Sequence, residues 1–269
     1  MMTILDRLVP PVAWCESGTG PLALFLHGLG GDRHSWDPQL AELADIRRCI
    51  AWDMPGYGAS PGLPDSLDAL ADAAAALIVG VGAEEADVVG LSLGGMVAQH
   101  LALRHPRLVR TLTLLDTSPA FGLDGTTKEQ WLATRVGPLS EAATPPDVAR
   151  AIVADMVGPD CPDDVRAAVV RSMQAVPPAS LQAACAALVE HDVRESLHQI
   201  DLSVLVMVGA LDPETPVSYA RAIADRIPGA RLLVVEGAGH LLNLENPGRV
   251  NAELRALWTS SYPEVAHVD

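Results

Sequence analysis

Short apolar runs alternate with longer helix-forming stretches along the first 117 residues of the chain. The runs Leu22–Leu26, Arg48–Trp52 and Val109–Leu115 have the length and apolar character of strands that are buried on both faces. The stretch at 66–78 between two of these runs is rich in alanine, which is typical of a helix. Strands that alternate with helices predict a mostly parallel central sheet with helices on both faces, which is the α/β class.

The alternation stops between about Ser118 and Gln199, where no convincing strand occurs. Prolines divide this segment into pieces of helix length, at Pro138, Pro145, Pro146, Pro159, Pro162, Pro177 and Pro178. Apolar residues at helical spacing predict helices at 149–157, 165–173 and 181–189. Thr126 followed by Glu129 resembles a capping box at the start of another helix.

The sheet pattern resumes after the helical segment. Strands are predicted there at 204–208 and 232–235, with helices at 217–226 and 245–258. Before the helical segment, a further strand is predicted at 12–15, with further helices at 35–43 and 96–104. Because insertions that carry function lie in the loops that follow parallel strands, we predict a helical lid at 118–199. The core into which it is inserted then consists of residues 1–117 and 200–269.

Composition narrows the class of protein. Hydrophobic residues make up 49% and charged residues 19% of the chain, which is typical of a soluble globular protein. The formal net charge is −16, and Lys128 is the one lysine among 18 basic residues. Such a chain offers no basic patch for a nucleic-acid backbone or an anionic membrane surface, so we expect neither as a partner.

The N-terminal residues and the cysteines predict where in the cell the protein is found. Residues 1–11 contain no long apolar run, so we expect neither a secretory signal nor a membrane anchor there. No later run approaches the ~20 apolar residues of a membrane span. The four cysteines, Cys15, Cys49, Cys161 and Cys185, lack C-x-x-C spacing, which predicts reduced thiols in a cytoplasmic protein rather than a disulfide or a zinc site.

The candidate nucleophile lies in the pentapeptide GLSLG at 90–94. An apolar run precedes Ser92 and a helix-forming stretch follows it, which is the strand, sharp turn and helix of a nucleophilic serine. The flanking glycines let strand and helix pass closely, while a strained turn holds the hydroxyl above the sheet. A second match, GASPG at 58–62, is less suitable, because Pro61 follows Ser60 and has no N–H to serve an oxyanion.

A serine hydroxyl needs a base to take its proton and a group that orients the base. His240 follows a predicted strand in a glycine-rich loop, and Asp212 ends the predicted strand before it. The chain order serine, aspartate, histidine is the one expected for such a turn on an α/β sheet. We predict Ser92 as nucleophile, His240 as base and Asp212 as acid, with Asp116 at an earlier strand end as a rival for the acid.

An acyl-transfer intermediate also needs donors for its negative oxygen. The amide of Leu93, at the helix start, is one predicted donor, and the amide of Leu29 in the glycine-rich loop at 27–32 is the other. His27 organises this loop in our interpretation, and its contact with a substrate is a further candidate role. On the lid side, Phe121 and Trp131 are predicted to line the substrate pocket.

Five segments outside the predicted lid together resemble the α/β-hydrolase superfamily. They are HGLGGD at 27–32, DMPGYGAS at 53–60, GLSLGG at 90–95, GALDPETP at 209–216 and GAGHLLNLENP at 237–247. The resemblance implies the α/β-hydrolase fold and the same catalytic assignments, namely Ser92, Asp212 and His240, with Leu29 and Leu93 as oxyanion donors. It also implies that the lid covers the pocket.

Other segments are similar to the 3-oxoadipate enol-lactonases. They are WDPQ at 36–39, LDTS at 115–118, the segment at 183–197 that contains HDVRESL, and GALDPETP at 209–216. We expect hydrolysis of a small carboxylic ester or lactone through an acyl-enzyme, with an enol-lactone of aromatic catabolism as one candidate. This reaction requires no metal or organic cofactor. Alternatives on the same fold are carbon–carbon bond hydrolysis of a vinylogous diketone, cofactor-free perhydrolysis, and a ligand receptor with little turnover.

Overall fold

Seven strands form one sheet in the computed structural model, which describes residues 11–136 and 146–260. The strands are β1 (Trp14–Ser17), β2 (Leu22–Leu26), β3 (Arg48–Trp52), β4 (Ala86–Leu91), β5 (Val109–Leu115), β6 (Ser203–Gly209) and β7 (Arg231–Val235). Their order across the sheet is β1-β3-β2-β4-β5-β6-β7. The edge strand β1 runs antiparallel to β3, and the other neighbours are parallel, which confirms the expected mostly parallel sheet.

Helices connect most of these strands. The α-helices of the described residues are α1 (Asp37–Leu43), α2 (Leu67–Gly80), α3 (Leu93–Arg104), α4 (Lys128–Arg135), α5 (Pro146–Met156), α6 (Asp163–Ala175), α7 (Pro178–Leu188), α8 (Val217–Ala224), α9 (Leu242–Glu245) and α10 (Pro247–Ser260). A short 3₁₀ turn at Arg33–Trp36 precedes α1. The N-cap of α2 is Ser66, whose hydroxyl accepts a hydrogen bond from the amide of Ala69 at 3.0 Å.

The sheet is buried on both faces because its strands carry apolar side chains at successive positions. In β2, Leu22, Leu24 and Leu26 pack in one cluster with residues of α2, α3 and α8. Ala23 and Phe25 point to the other face and pack with residues of α1 and α10. Helices therefore cover both faces, as the alternating sequence pattern predicts.

Four α-helices of the described residues, α4 to α7, lie between β5 and β6, in the segment predicted as a helical lid. The capping box of α4 is formed one residue later than predicted. Thr127 Oγ1 accepts from the amide of Gln130, and the side chain of Gln130 accepts from the amide of Thr127, each at 3.2 Å. The prediction that the capping box begins at Thr126 is wrong by one position, because the helix begins only after Thr127.

The closing helix, predicted at 245–258 as one piece, is divided in the structure. α9 ends at Glu245 and α10 begins at Pro247, with Asn246 between them at φ −135° and ψ 61°. The ring of Pro247 disfavours the α conformation at the residue before it, so the chain changes direction at Asn246.

Several sequence predictions fall on residues outside the described ranges. They include the breaks at Pro138 and Pro145 and the expectations for the segment at 1–10. The bounds of the core, 1–117 and 200–269, and of the lid, 118–199, stay a prediction. Within the described ranges, no helix combines the length and the apolar character that crossing a membrane requires.

The turn between β4 and α3 leaves no room for side chains at its glycines. A Cβ atom at Gly94 would lie 2.1 Å from the carbonyl oxygen of Leu26 in β2, and one at Gly90 would lie 2.3 Å from that of Gly94. Both distances are far shorter than the ~3.5 Å of a van der Waals contact. The first turn of α3 therefore packs directly on β2 and β4, which fixes the position of Ser92.

We expect Gly94→Ala to lower the free energy of unfolding by about 3 kcal/mol, since the added methyl group must displace backbone rather than a flexible side chain. Gly248→Ala is the matched control, because a Cβ atom at this exposed position of α10 meets nothing within 4 Å. The control should leave stability unchanged or raise it by about 0.5 kcal/mol. Urea denaturation measures both variants, and equal stabilities would contradict the packing at Gly94.

Candidate active site

Ser92 lies at the turn between β4 and α3 in a strained backbone conformation. Its φ of 54° and ψ of −119° fall where residues other than glycine are rare. The amide of Ser92 donates to the carbonyl of Leu115 at 2.9 Å, and Thr117 Oγ1 donates to the carbonyl of Ser92 at 2.7 Å. These bonds hold the turn at the carboxyl edge of the sheet, where Ser92 lines a cavity.

Three residues that follow different strands meet at this hydroxyl. His240 Nε2 lies 2.9 Å from Ser92 Oγ, and His240 Nδ1 lies 2.8 Å from Asp212 Oδ2. Asp212 follows β6, and His240 follows β7. The structure thus brings together the three residues that the sequence predicts as nucleophile, base and acid, in an arrangement that can pass a proton from serine to imidazole.

Asp212 is held in its orientation by its own loop. Its Oδ1 accepts from the amides of Glu214 at 2.8 Å and Thr215 at 3.0 Å, and its Oδ2 accepts from Thr215 Oγ1 at 2.7 Å. Burial acts to raise the pKa of Asp212, but the charge of His240 and the hydrogen bonds from His240 and Thr215 outweigh it and lower this pKa. Asp212 is therefore ionised and accepts the Nδ1 proton of His240.

Asp116, the rival for the acid, lies fully buried at the end of β5. Its two oxygens accept from the amides of Gly209 at 2.9 Å and Leu242 at 3.0 Å. Burial, and then the nearby charge of Asp212, raise the pKa of Asp116 to about 8. Because Gly209 precedes the Asp212 loop and Leu242 follows His240, Asp116 joins the two loops and makes no bond to the imidazole in this geometry.

The loop at 27–32 lies against the nucleophile. A Cβ atom at Gly28 would lie 3.3 Å from Ser92 Cβ, and Leu29 lines the cavity beside it. Leu93 is the first residue of α3, where an amide has no carbonyl partner in its own helix. Both amides that the sequence predicts for the oxyanion therefore belong to segments that adjoin Ser92.

His27 requires a correction, because it is absent from the cavity lining among the described residues. Its side chain is buried, Nε2 accepts from the amide of Met54 at 3.0 Å, and Nδ1 donates to the carbonyl of Gly28 at 2.8 Å. Burial lowers the pKa of His27 and keeps its ring neutral. Both ring nitrogens hold the loop in place, so neither can contact a substrate.

Ser60, in the second G-x-S-x-G sequence, has a different environment from Ser92. Its Oγ donates to the carbonyl of Asp53 at 2.6 Å and accepts from the amide of Ala13 at 2.8 Å. It is buried, and its hydroxyl connects β1 to the turn after β3.

A cavity of about 190 Å³ lies between Ser92 and the lid helices. Much of its lining is apolar, including Val148, Ile152, Met156, Val169, Met173 and Leu181. Phe121 and Trp131, the two lid residues predicted to line a pocket, are part of the lining, with ring centroids 5.7 Å apart. Among the described residues, no group of three or more His, Cys, Asp or Glu side chains is placed to hold a metal ion.

The described geometry agrees with a family comparison. The family model for the alpha/beta hydrolase fold matches residues 21–247. The chain belongs to the alpha/beta hydrolase family. The fold class and the family expected from the sequence are therefore confirmed.

Known relatives narrow the type of hydrolase. The chain is 34% identical over 228 residues to pimeloyl-[acyl-carrier protein] methyl ester esterase of Chromobacterium violaceum, covering 83% of this chain and 88% of the relative. It is 28% identical over 242 residues to 3-oxoadipate enol-lactonase 2 of Acinetobacter baylyi, covering 88% of each. A thermophilic esterase from Thermogutta terrifontis matches with a TM-score of 0.84 and 27% identity over 94% of each chain. The expected class, carboxylic ester hydrolase, is confirmed at the level of the family.

Glu245 holds the histidine loop of this hydrolase, although no sequence motif singled it out. Its Oε2 accepts from the amides of Gly158 at 2.7 Å and Gly239 at 2.9 Å, and its Oε1 accepts from the amide of Leu241 at 3.0 Å. Glu245 thus binds the amides on both sides of His240. Its place five residues after the histidine, within the segment GAGHLLNLENP at 237–247, is the signal that could have found it.

The segment predicted as a lid also contacts His240 directly. The amide of His240 donates to the carbonyl of Met156, the last residue of α5, at 2.7 Å. Gly158, which Glu245 binds, lies two residues further along the same segment. The orientation of the imidazole is therefore linked to the position of α5.

The two buried aspartates allow a matched test of the acid. Asp212→Asn should lower kcat by on the order of 10⁴, because an amide favours the wrong tautomer of the imidazole. Asp116→Asn should lower kcat by no more than about tenfold, because its amide oxygen keeps one of the two backbone bonds. Steady-state ester hydrolysis measures both, with circular dichroism as the check on folding. If Asp116→Asn lowers kcat more than Asp212→Asn does, then Asp116 rather than Asp212 is the acid.

His240 determines the expected pH dependence. Burial alone would lower its pKa, but the charge and hydrogen bond of Asp212, with the charges of Asp116 and Glu214, outweigh it and raise the pKa above the ordinary 6.5. Only neutral imidazole accepts the serine proton, so kcat/KM should fall as pH is lowered through this raised pKa. Glu214→Gln removes one negative charge and should move the acidic limb to lower pH. A pH–rate profile measures this, and a flat rate from about pH 5 to 8 would contradict the role of base.

Proposed function

We propose that this hydrolase cleaves a small carboxylic ester or lactone through a covalent acyl-enzyme. The observation that carries the proposal is the hydrogen-bonded chain from Ser92 Oγ through the imidazole of His240 to Asp212, at one wall of a cavity beneath the lid helices. A serine hydroxyl without such a base is a weak nucleophile at neutral pH. The esterase and enol-lactonase among the relatives support an ester as the bond that is cleaved.

In the first half of the reaction, His240 Nε2 takes the proton of Ser92 while Oγ attacks the carbonyl carbon of the ester. The carbonyl oxygen becomes an oxyanion, which accepts hydrogen bonds from the amides of Leu29 and Leu93. His240 then donates the proton to the alkoxy oxygen, and the carbon–oxygen bond breaks. The alcohol leaves and the acyl group stays on Ser92, whereas a lactone keeps its new hydroxyl in the same molecule.

In the second half, water takes the place of the serine hydroxyl. His240 removes a proton from the water as its oxygen attacks the acyl carbon, and the same amides stabilise the oxyanion. Collapse of this intermediate returns the proton to Ser92 Oγ and releases the acid. Asp212 stays ionised and orients the imidazolium in both halves.

The cavity supports a small substrate with an apolar body. Its volume of about 190 Å³ and its cover of lid helices favour a small molecule over a polymer. The apolar lid side chains that line it favour alkyl or aromatic groups next to the ester. An enol-lactone of aromatic catabolism is a candidate substrate of this class, provided that it presents no free carboxylate to the cavity.

The two G-x-S-x-G serines provide a matched test of the nucleophile. Ser92→Ala should lower kcat by on the order of 10⁴ to 10⁶ with the fold unchanged. Ser60→Ala should keep kcat within about tenfold and lower the free energy of unfolding by about 1–2 kcal/mol, because it removes buried hydrogen bonds. Release of acid from a panel of nitrophenyl esters and lactones measures turnover. Near-normal turnover in Ser92→Ala would remove the proposal.

The same panel separates the other activities of this fold. It includes a vinylogous diketone, whose cleavage without ester hydrolysis would indicate a carbon–carbon bond hydrolase. Peroxide added to the ester assay would reveal perhydrolysis as peracid formation. Saturable binding without multiple turnovers would favour a receptor.

A further inference from the structure

The lining of the cavity includes one arginine and two carboxylates. Among the described residues that line the cavity, Arg135 on α4 is the one lysine or arginine, and Asp124 and Glu214 are the acidic residues. The segment at 137–145, which follows Arg135 in the chain, contains no lysine or arginine in its sequence. With all three side chains ionised, one positive and two negative charges line the cavity.

Arg135 is fixed in an ion pair with Glu214. Nη2 of Arg135 lies 2.5 Å from the carboxylate of Glu214 and faces both of its oxygens. The guanidinium carbon also lies 5.8 Å from the ring centre of Trp131, which packs edge-on to Phe121. The two side chains of the pair are only 26% and 27% exposed. Arg135 is thus held between a carboxylate and an aromatic ring.

The backbone of Glu214 belongs to the loop that orients the catalytic acid. Its amide donates to Asp212 Oδ1 at 2.8 Å, and the next residue, Thr215, donates to the same carboxylate. A shift of this backbone would disturb Asp212. Glu214 could yield its place only by rotating its side chain, which would leave a partly buried carboxylate without a cation.

We propose that the Arg135–Glu214 pair makes the cavity select uncharged esters and reject esters that carry a carboxylate. For turnover this selection rests on the ester hydrolysis proposed above. A substrate carboxylate that bound Arg135 would either displace Glu214 or lie beside it, and in both cases two negative groups would lie close together around one cation, at a site with limited access to water. An alkyl or amide group meets no such cost. A lactone of a dicarboxylic acid keeps one free carboxylate, so it belongs to the rejected group.

Three methyl esters with chains of similar length test this selection. Methyl hexanoate, methyl adipamate and monomethyl adipate end in a methyl group, an uncharged amide and a carboxylate, respectively. Calorimetry with the Ser92→Ala protein at about pH 8, where the carboxylate is ionised, measures binding without turnover. We expect monomethyl adipate to bind at least about tenfold more weakly than either uncharged ester.

The ratio of the dissociation constants of monomethyl adipate and methyl hexanoate should change in opposite directions when one or the other partner of the ion pair is replaced. In the Ser92→Ala background, Glu214→Gln should reduce the ratio by about tenfold, because Arg135 becomes available to the substrate carboxylate. Arg135→Gln should increase it, because Glu214 then faces the carboxylate without a cation.

Glu190→Gln is the matched control for a general loosening of α4. Glu190 pairs with Lys128 at 2.7 Å, and Lys128 lies on the same helix as Arg135 but outside the cavity lining among the described residues. The same chemical change therefore frees a cation of α4 away from the cavity. It should leave the ratio of the dissociation constants unchanged.

The outcomes separate the charge selection from the proposed function. Equal binding of monomethyl adipate and methyl hexanoate, or the same ratio in Glu214→Gln as in its parent, would overturn the selection. With Ser92 present, kcat/KM for the three esters should follow the order of binding. If binding follows this order but no ester is hydrolysed, the proposed function fails and the charge selection stands.

Discussion

The close approach of α3 to β2 and β4 is the constraint on which the site depends. Glycines at 90 and 94 allow backbone to pack against backbone, and the residue between strand and helix, Ser92, is left at φ 54°. Such a conformation costs on the order of 1–3 kcal/mol, which the buried contacts of α3 offset. Because packing imposes the strain, the hydroxyl cannot relax away from the position that His240 reaches.

Helix α5, in the segment predicted as a lid, and the loop that carries His240 are joined by hydrogen bonds. Glu245 binds amides of the histidine loop and of the segment after α5, and the carbonyl of Met156 accepts from the amide of His240. A displacement of α5 would break these bonds and release the loop that carries the base. Cover of the cavity by α5 and orientation of the imidazole therefore depend on the same contacts.

Three carboxylic acids near the base have different roles because they have different partners. Asp212 bonds to the imidazole and is ionised, whereas Asp116 bonds only to backbone amides and its pKa is raised. Glu214 forms an ion pair with Arg135 of α4. Its charge contributes both to the raised pKa of His240 and to the neutralisation of Arg135. The proposed charge selection and the basicity of His240 are thus linked through one side chain.

Local features of this chain could be predicted from its sequence, because periodicity and turn chemistry depend on neighbouring residues. They include the mostly parallel sheet, the turn at Ser92, and Asp212 and His240 as partners at later strand ends. The roles of Asp116 and His27 depended on burial and on hydrogen bonds from distant amides. The contacts Glu245 to Gly158 and Arg135 to Glu214 join residues 87 and 79 positions apart. Such pairs arise only when the strands take their register and the lid docks on the core, since these depend on packing across the whole chain.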